Sequence, residues 1–386
     1  MPSALKTKLT EMLGLAAPIM SAPMAGIAGG ALAAAVSRAG GLGLIGGGYG
    51  DRRWLARELD IAADAGVGVG VGFITWALAR DPDLLSLAIE RRPRAVFLSF
   101  GDIHQFGPIV ARAGVPLIAQ VQTVAEAKMA VAEGAQIIVA QGTEAGGHGG
   151  MRASMALVPA VVDAVGDIPV VAAGGIADGR GLLASLILGA AGVLCGTAFY
   201  ATHESLAHSN AKEAAVRGSG DNTVRGSVFD VVRGYHWPEQ WRLRSLENEF
   251  YRTWVSKEEL LRTDQSDQRK LYFRAQKNGD TDTAPVIVGE AVDLLHQIEP
   301  ASAVIARMTD QAMAHLSGFA ARSARQSEAD IGQATNQAYP TSESEQAALS
   351  PFGRTTAPLH VQTLPKQRGR PRGSRRHPPS KSRTGD

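Results

Sequence analysis

The sequence contains very little cysteine, and it lacks the segments that direct a chain out of the cytoplasm or into a membrane. Its single cysteine, Cys195, excludes an internal disulfide, which fits a reducing compartment. The N-terminus has no charged region followed by an apolar core and a cleavage site, so no secretory signal is predicted. The longest stretch of small residues, 22–48, is interrupted by Arg38 and crowded with glycine, which argues against a membrane span. We therefore expect a cytoplasmic protein with no membrane partner.

Net charge is also small, but it is distributed unevenly along the chain. The formal charge of the whole chain at pH 7 is +2. Residues 352–386 contain nine Lys and Arg residues against one acidic residue. The rest of the chain is therefore net acidic, by about six charges. Residues 321–386 are rich in Ser, Gln, Pro and Arg and poor in apolar residues, a composition that predicts a disordered basic tail.

The tail contains a short basic motif, Lys366-Gln-Arg-Gly-Arg-Pro-Arg-Gly373. Its Arg-Gly-Arg-Pro centre resembles the AT-hook, which lies in the narrow minor groove of A·T-rich DNA. One hypothesis is therefore a weak contact between the tail and nucleic acid, which would make the chain a DNA-associated protein. The alternative is an inert, solvated basic extension, because short basic runs are common in disordered segments.

Short apolar segments alternate with helical patterns over roughly the first 200 residues. Eight segments are predicted to be buried strands: Pro18–Ala22, Leu42–Ile45, Gly68–Ile74, Ala95–Ser99, Pro116–Val121, Gln136–Ala140, Pro169–Ala173 and Gly192–Cys195. Amphipathic runs typical of helices separate most of them: Gly30–Ala39, Arg52–Ala65, Asp83–Glu90, Thr123–Glu133, Met155–Val165 and Gly179–Leu188. This alternation indicates a parallel sheet covered by helices, and eight repeats match the (β/α)8 barrel, or TIM barrel, of the α/β class. A doubly wound open sheet is the alternative fold.

One predicted strand is followed by a histidine among glycines. Residues 139–150 read Val-Ala-Gln-Gly-Thr-Glu-Ala-Gly-Gly-His-Gly-Gly. The glycines let the backbone adopt φ > 0 and approach a ligand closely, and they leave His148 as the titratable side chain at the tip. A histidine on a turn is often only a core or capping residue, but this context favours a catalytic one. The nine histidines form no cluster with cysteine of the kind that binds zinc, so no metal site is predicted.

Two further strand ends carry small residues that suit an anion. Ala173 ends one predicted strand and is followed by Gly174 and Gly175. The last predicted strand is followed by Gly196 and Thr197. Bare backbone N–H groups at such turns bind anions. In a (β/α)8 barrel the loops after the last two strands commonly bind phosphate, so these residues are predicted to form a phosphate clamp.

Taken together, the chain resembles the nitronate monooxygenases, the FMN enzymes formerly called 2-nitropropane dioxygenases. The resemblance extends over roughly residues 10–320. The segments that carry it are Pro18–Met24, Arg38–Gly46, Ala140–Gly150, Ala172–Gly181 and Cys195–Phe199. It implies a (β/α)8 barrel, FMN as the cofactor, and His148 as the catalytic base that faces the substrate.

The resemblance also assigns residues to the FMN site. Residues 22–24 would contact the flavin ring, Gln120 would face its polar edge, and the glycines 146–147 would approach it. The full predicted cofactor-binding set is Ala22, Pro23, Met24, Gly72, Gln120, Gly146, Gly147, Ala173, Gly174, Gly175, Gly196 and Thr197. Some family members have Gly-Gly at 22–23, and others have Asn and Lys at the positions of Gly72 and Gln120. The redox tuning of the flavin, and hence its preferred electron acceptor, stays open.

The composition and the strand–helix pattern of the sequence change after the eight barrel repeats, which predicts further domains. Residues 1–212 are expected to form the FMN-binding barrel, and the more polar residues 213–282 a smaller, mainly helical substrate or lid domain near the barrel mouth. Five residues either line the substrate pocket or form that domain's own core: Tyr235, His236, Trp237, Trp241 and Arg242. Residues 283–320, with helices over Ala284–His296 and Ala301–Leu316, would pack back on the barrel.

The predicted function follows from the resemblance. An FMN-dependent nitronate monooxygenase would oxidise alkyl nitronates with O2 to carbonyl compounds and nitrite, and His148 could first remove the α-proton of a neutral nitroalkane. The alternative in the same superfamily is an NAD(P)H-dependent FMN reductase, either an enoyl-acyl-carrier-protein reductase or a quinone reductase. The sequence leaves open whether the chain forms a homodimer.

Overall fold

The computed structural model describes residues 5–337 of the chain, with the side chains of residues 5–322. Its strands are short, and eight of them coincide with the eight predicted segments to within two residues at each end. The strands are β1 Ile19–Ser21, β2 Leu44–Gly46, β3 Gly70–Ile74, β4 Val96–Ser99, β5 Leu117–Val121, β6 Ile137–Gln141, β7 Gly147–Gly149, β8 Val170–Ala173, β9 Gly192–Cys195, β10 Thr223–Gly226 and β11 Arg242–Leu246.

Eight of these strands form one parallel sheet that closes on itself. Their order is β1-β9-β8-β6-β5-β4-β3-β2, and every neighbouring pair is parallel. The two end strands meet through a parallel bridge between Met20 and Leu42, in which the Leu42 N–H donates to the Ile19 carbonyl at 3.0 Å. The (β/α)8 barrel is therefore confirmed, and the doubly wound sheet is not adopted.

The helices cover the barrel and extend beyond it. In the described residues they are α1 Lys8–Leu13, α2 Gly30–Arg38, α3 Arg52–Asp64, α4 Thr75–Leu78, α5 Asp83–Glu90, α6 Gly107–Arg112, α7 Val124–Ala132, α8 Ser154–Val165, α9 Gly179–Ile187, α10 Thr197–Tyr200, α11 Ser209–Val216, α12 Val228–Arg233, α13 Glu249–Trp254, α14 Glu258–Thr263, α15 Gln265–Asn278 and α16 Ala301–Gln337. Side-chain caps define several of their starts. Asp51 accepts from the Trp54 N–H at α3, and Thr123 and Glu126 form a capping box at α7.

The core has two layers because successive strand residues point to opposite faces of the sheet. In β4, Phe97 points into the barrel, where it packs with residues such as Ile137 and Val171. Its neighbours Val96 and Leu98 point outward against the helices. Leu9 and Leu13 of α1 join the inner cluster, and Leu9 is completely buried.

The residues after the barrel contain a small antiparallel sheet that the sequence analysis did not predict. Strands β10 and β11 pair with each other, and β11 also pairs with β7, in the order β10-β11-β7. Strand β7 lies in residues 140–150, which we call the histidine loop. The helices α12 to α15 surround an apolar cluster that includes Phe229, Leu243 and Tyr272. The segment 213–282 is thus mainly helical, as predicted, but it is joined to the histidine loop by strand pairing.

The structure differs from the sequence prediction at the end of the described chain. A helix predicted over Ala284–His296 is instead extended chain with one 3-10 segment, Glu290–Leu294. The extended part packs through Val286 and Val288, which are both buried. The helix predicted over Ala301–Leu316 forms and continues to Gln337. The AT-hook-like motif at 366–373 and the rest of the predicted tail from residue 338 lie outside the described residues.

Membrane insertion finds no support among the helices described. None of them combines the length and the apolar character that crossing a bilayer requires.

Candidate active site

One cavity lies at the carboxyl ends of the barrel strands, where active sites of (β/α)8 barrels are found. All thirteen residues that the sequence analysis assigned to cofactor or catalysis line it: Ala22, Pro23, Met24, Gly72, Gln120, Gly146, Gly147, His148, Ala173, Gly174, Gly175, Gly196 and Thr197. The structure therefore brings the predicted set together in one place. The role of each residue remains a prediction.

The turns after β8 and β9 have the backbone geometry that an anion site needs. Gly174 and Gly175 have φ angles of 99° and 73°, a region that L side chains rarely adopt. Gly196 follows β9 directly, and a Cβ built on it would come no closer than 3.6 Å to the Ala22 Cβ. Its contacts with Ala22 Cβ and Met24 Sδ, at 3.6 and 3.7 Å, would be ordinary van der Waals contacts, so protein packing alone does not require glycine here. The Thr197 hydroxyl accepts a hydrogen bond from the Gly289 N–H at 2.9 Å, which fixes this turn against the chain after α15.

We expect the substitution Gly196→Val to weaken FMN binding by about tenfold or more while leaving the fold intact. The Cβ of a valine here would contact Ala22 and Met24 at ordinary van der Waals distances and add bulk at the predicted phosphate turn, whereas a side chain at Gly175 would also strain a left-handed backbone. The measurement is the Kd of FMN for the apoprotein, together with Tm. Gly318→Val, on an exposed part of α16, is the control. Unchanged FMN affinity in Gly196→Val would place the phosphate site elsewhere.

The histidine loop is held by strand pairing and close packing. His148 lies in β7 directly opposite Leu243 of β11. Gly147 has a φ of 74°, as predicted for a loop that needs glycine. Gly146 is required for a different reason, because a Cβ there would lie 2.4 Å from the Val288 carbonyl carbon. The extended segment around Val288 therefore fixes this glycine, in addition to any approach of the flavin.

A partly buried arginine clamps the same loop from residues 213–282, which we call the inserted segment. The Arg225 guanidinium donates to the carbonyl oxygens of Thr143, Ala145 and Gly149 at 2.7, 3.1 and 3.2 Å. It also donates to the Arg242 carbonyl, which ties the loop to β11. Burial lowers the pKa of Arg225 to about 10, so the side chain is still charged at neutral pH. Four acceptors on one rigid fork hold the histidine loop in a single conformation.

His148 is connected to a buried carboxylate and a buried arginine. Its Nε2 lies 2.9 Å from Asp230 Oδ2, and Asp230 Oδ1 accepts from Arg233 Nη2 at 2.7 Å. The exposed fractions of His148, Asp230 and Arg233 are 7, 3 and 8%. Because a carboxylate only accepts, neutral His148 donates Nε2–H to Asp230 and keeps a lone pair on Nδ1.

Burial is the dominant influence on the protonation of His148. It lowers the pKa of the imidazole below its usual value, because the charged form loses its hydration. The hydrogen bond and charge of Asp230 act in the opposite direction, and Arg233 weakens that action because it compensates the carboxylate. His148 is therefore neutral at pH 7 and can accept a proton on Nδ1.

Aromatic rings surround His148. The Trp237 ring stacks on the imidazole with 3.4 Å between centroids and 9° between planes, and Phe100 lies 6.3 Å from it, edge to face. The Trp237 N–H donates to the Tyr49 hydroxyl at 3.2 Å, and Tyr49 stacks on Tyr235 at 3.9 Å. Burial raises the pKa of Tyr49 to about 12, so its hydroxyl remains protonated. The rings exclude water from one face of the base.

Of the five pocket candidates in the inserted segment, only Trp237 lines the cavity. Tyr235 lies behind Tyr49, and Trp241 is buried and donates its N–H to Gln122 Oε1 at 3.0 Å. His236 and Arg242 are exposed. Of the two alternatives given for these five residues, lining the pocket holds for Trp237, whereas Tyr235 and Trp241 pack against Tyr49 and Gln122.

Glutamines form a hydrogen-bonded chain beneath the histidine loop. Gln141 Oε1 accepts from Gln122 Nε2 at 2.8 Å and from Gln120 Nε2 at 3.2 Å. Gln141 Nε2 donates to the His148 carbonyl at 3.0 Å. The amide of Gln120 is thus oriented by Gln141, which also lines the cavity. This arrangement fixes both the predicted flavin contact and the backbone of the base.

The sequence analysis did not identify Asp230, which contacts His148 directly, or Arg233, which contacts the carboxylate of Asp230. They lie three residues apart on α12: Asp230 interrupts the apolar run Val228–Val232, and Arg233 directly follows it. A charged pair inside a short buried helix is rare unless the two charges are paired, and this was the signal available in the sequence.

Other reactive groups carry no site in the described part of the chain. No group of three or more His, Cys, Asp or Glu residues in residues 5–337 is arranged to hold a metal ion. Cys195 is buried in β9, and burial raises the pKa of its thiol to about 12, which keeps it protonated.

Most of the chain matches one family model. The family model described as nitronate monooxygenase matches residues 6–65 and 80–311. The nitronate monooxygenase npaC of Metarhizium robertsii is 36% identical over 341 residues, which covers 78% of this chain and 93% of that protein.

Two solved structures share the fold over nearly their whole length. FabK from Thermotoga maritima superposes with a TM-score of 0.74 at 30% identity and covers 82% of this chain and 99% of its own. The nitroalkane oxidase from Streptomyces ansochromogenes has a TM-score of 0.67 at 28% identity and covers 81 and 99% of the two chains.

Proposed function

The chain belongs to the nitronate monooxygenase family, and we propose that it is an FMN-dependent enzyme that oxidises alkyl nitronates with O2 to carbonyl compounds and nitrite. It is an oxidoreductase by membership of that family. The observation that carries the specific proposal is the neutral His148, held by Asp230 at the edge of the cavity that also contains the glycine turns. A base beside an anion-binding turn suits the removal of a proton next to a bound flavin.

The residues present fit the phosphate and ring of FMN. The turn amides of Gly174, Gly175 and Gly196 would hold the phosphate, and residues 22–24 with Gln120 would contact the ring. Protein packing alone does not require a glycine at position 196, which supports a ligand contact there. When bound there, FMN supplies the one-electron oxidation of the substrate and the reaction with O2.

The protein's own contribution is proton transfer, orientation and exclusion of water. His148 Nδ1 accepts the α-proton of a neutral nitroalkane, which converts it to the nitronate. Asp230 keeps the imidazole in the required tautomer and stabilises its protonated form. Trp237 and the inserted segment keep water away from the base, so the proton is taken from the substrate.

The test is an assay of purified protein reconstituted with FMN. We expect flavin absorption bands, consumption of O2 and formation of nitrite when a preformed alkyl nitronate is added. Oxidation of NAD(P)H without nitronate would instead assign the reductase activity that the sequence left open. Absence of both activities in a flavin-loaded sample would reject the proposal.

The pH dependence follows from the environment of His148. Because burial lowers its pKa, the neutral base persists below the usual value of about 6.5 and is lost only at lower pH. We expect kcat/KM for a neutral nitroalkane to be flat from about pH 8 to about pH 6.5 and to fall up to tenfold per unit at lower pH. Initial rates across this range measure it. An apparent pKa above 6.5 would show that Asp230 outweighs burial.

A further inference from the structure

We propose that Arg233 receives the anionic oxygens of the substrate, and that the cavity selects monoanionic nitronates whose remaining substituent is uncharged and apolar. This inference rests on the proposed function and adds the substrate class. It follows from three observations: the N–H donors of Arg233 that have no acceptor among the described residues, the charges around the cavity, and the aromatic rings that face His148.

Arg233 has donors left over after its protein contacts are made. Its Nε donates to the Phe229 carbonyl at 2.8 Å, and its Nη2 donates to Asp230 Oδ1 at 2.7 Å. Its Nη1 donates to none of the residues that the structure describes, although the side chain is almost fully buried and lines the cavity. Because the side chain lines the cavity, the N–H groups of Nη1 are available to donate to a ligand oxygen there.

The position of Arg233 relative to the base matches a nitro compound. Asp230 holds His148 with one carboxylate oxygen and Arg233 with the other. In a nitroalkane the acidic proton is on the carbon that carries the nitro group, so the proton and the oxygens are close together. A base and a donor fixed by the same carboxylate can therefore meet both parts of the substrate at once.

Charge limits what else the substrate can carry. Among the described residues that line the cavity, Arg233 is the only Lys or Arg, and Asp230 already compensates its charge. With His148 neutral, the three side chains are neutral as a group. A nitronate adds one negative charge and gains the Nη1 donors. A carboxylate elsewhere on the substrate would add a second negative charge that is buried without a cation, which is strongly unfavourable.

The walls next to the base favour an apolar substituent. Phe100 and Trp237 lie 5.1 Å apart, edge to face, and both contact the His148 ring. Leu243, opposite His148 in the small sheet, also lines the cavity. A carbon chain attached to the reacting atom would meet these surfaces, whereas a polar group would lose its hydration there.

The first experiment compares two nitronates of nearly equal shape. The probes are the nitronates of 3-methyl-1-nitrobutane and of 3-nitropropanoate, in which an isopropyl group and a carboxylate occupy equivalent positions. With the FMN-loaded full chain we expect kcat/KM to be at least about 100-fold lower for the carboxylate. Equal values, or a preference for the carboxylate, would overturn the inference while the proposed function stands. If a flavin-loaded sample oxidises neither probe, both the function and the inference fail.

The second experiment tests Arg233 itself. Arg233→Lys keeps a positive charge beside Asp230 but loses the fork that reaches two acceptors, so KM for the apolar nitronate should rise about tenfold or more, with a smaller change in kcat. Arg307→Lys is the matched control, because Arg307 pairs with Glu299 away from the cavity. Unchanged KM in Arg233→Lys would overturn the role of Arg233. If that variant fails to hold flavin, the two probes on the unmodified chain still decide the substrate class.

Discussion

Replacing His148 with asparagine is expected to reduce kcat/KM for neutral nitroalkanes by about 10²–10⁴-fold, the range in which general-base catalysis contributes. Asparagine has no group that accepts a proton at neutral pH. The loop backbone should keep its place, since the Arg225 clamp and the pairing with Leu243 involve only main-chain atoms of the loop. Steady-state rates and the ratio of flavin to protein are the measurements.

The comparison between two forms of one substrate separates proton removal from other roles. A preformed nitronate has already lost its proton, so its oxidation by His148→Asn should decrease far less than that of the parent nitroalkane. His104→Asn is the control, because His104 is exposed and pairs with Glu133 outside the cavity. Small, equal losses for both substrate forms in His148→Asn would show that this histidine is not the base.

The barrel could be predicted from the sequence because its signal is local. Each strand is a short apolar run such as Ile137–Gln141, buried on both faces and flanked by a helix with its own cap or periodicity. Strands of this kind leave few alternatives once there are eight of them in series. The glycine turn at Gly174–Gly175 and the loop at His148 could be predicted for the same reason, because glycines that follow a predicted strand are recognised from the local sequence.

The inserted segment could be predicted only coarsely, because its contacts are distant in sequence. Strand β11 pairs with β7 across about 95 residues, and β7 consists of Gly147, His148 and Gly149, which do not favour strands. The pairing depends on tertiary contacts and not on local preference. The segment at 284–296 shows the reverse error: its apolar residues fit a helix, but Val286 and Val288 are buried in an extended chain.

The same long-range contacts supply the partners of the base. Asp230 is 82 residues from His148 in the sequence, and Arg225 is 76 residues from Gly149. No spacing rule links such positions. The inserted segment is therefore more than a cover over the barrel mouth, since it orients the histidine, clamps its loop and supplies the arginine that faces the cavity.

The substitution Asp230→Asn is expected to reduce neutral nitroalkane turnover nearly as much as loss of His148, by about 10²–10⁴-fold. Asp230 accepts from Arg233 with one oxygen and from His148 Nε2 with the other. An asparagine has a single oxygen, and Arg233 can only donate. The amide oxygen should therefore face Arg233 and the NH2 group face His148. The imidazole would then accept on Nε2 and carry its proton on Nδ1, where the base is needed.

A purely structural role for Asp230 predicts a different set of results. If the wrong tautomer of His148 causes the loss of turnover, the Asp230→Asn variant should still bind FMN. Its turnover of nitroalkanes should decrease much more than its turnover of preformed nitronates. Removing the carboxylate also removes an influence that raises the pKa of His148, so any residual rate should persist to lower pH. Glu299→Gln, which breaks a partly buried carboxylate–arginine pair outside the cavity, should lower Tm without this kinetic pattern. Equal losses on both substrate forms, with lowered Tm and lost flavin, would make Asp230 a folding residue rather than the residue that orients the base.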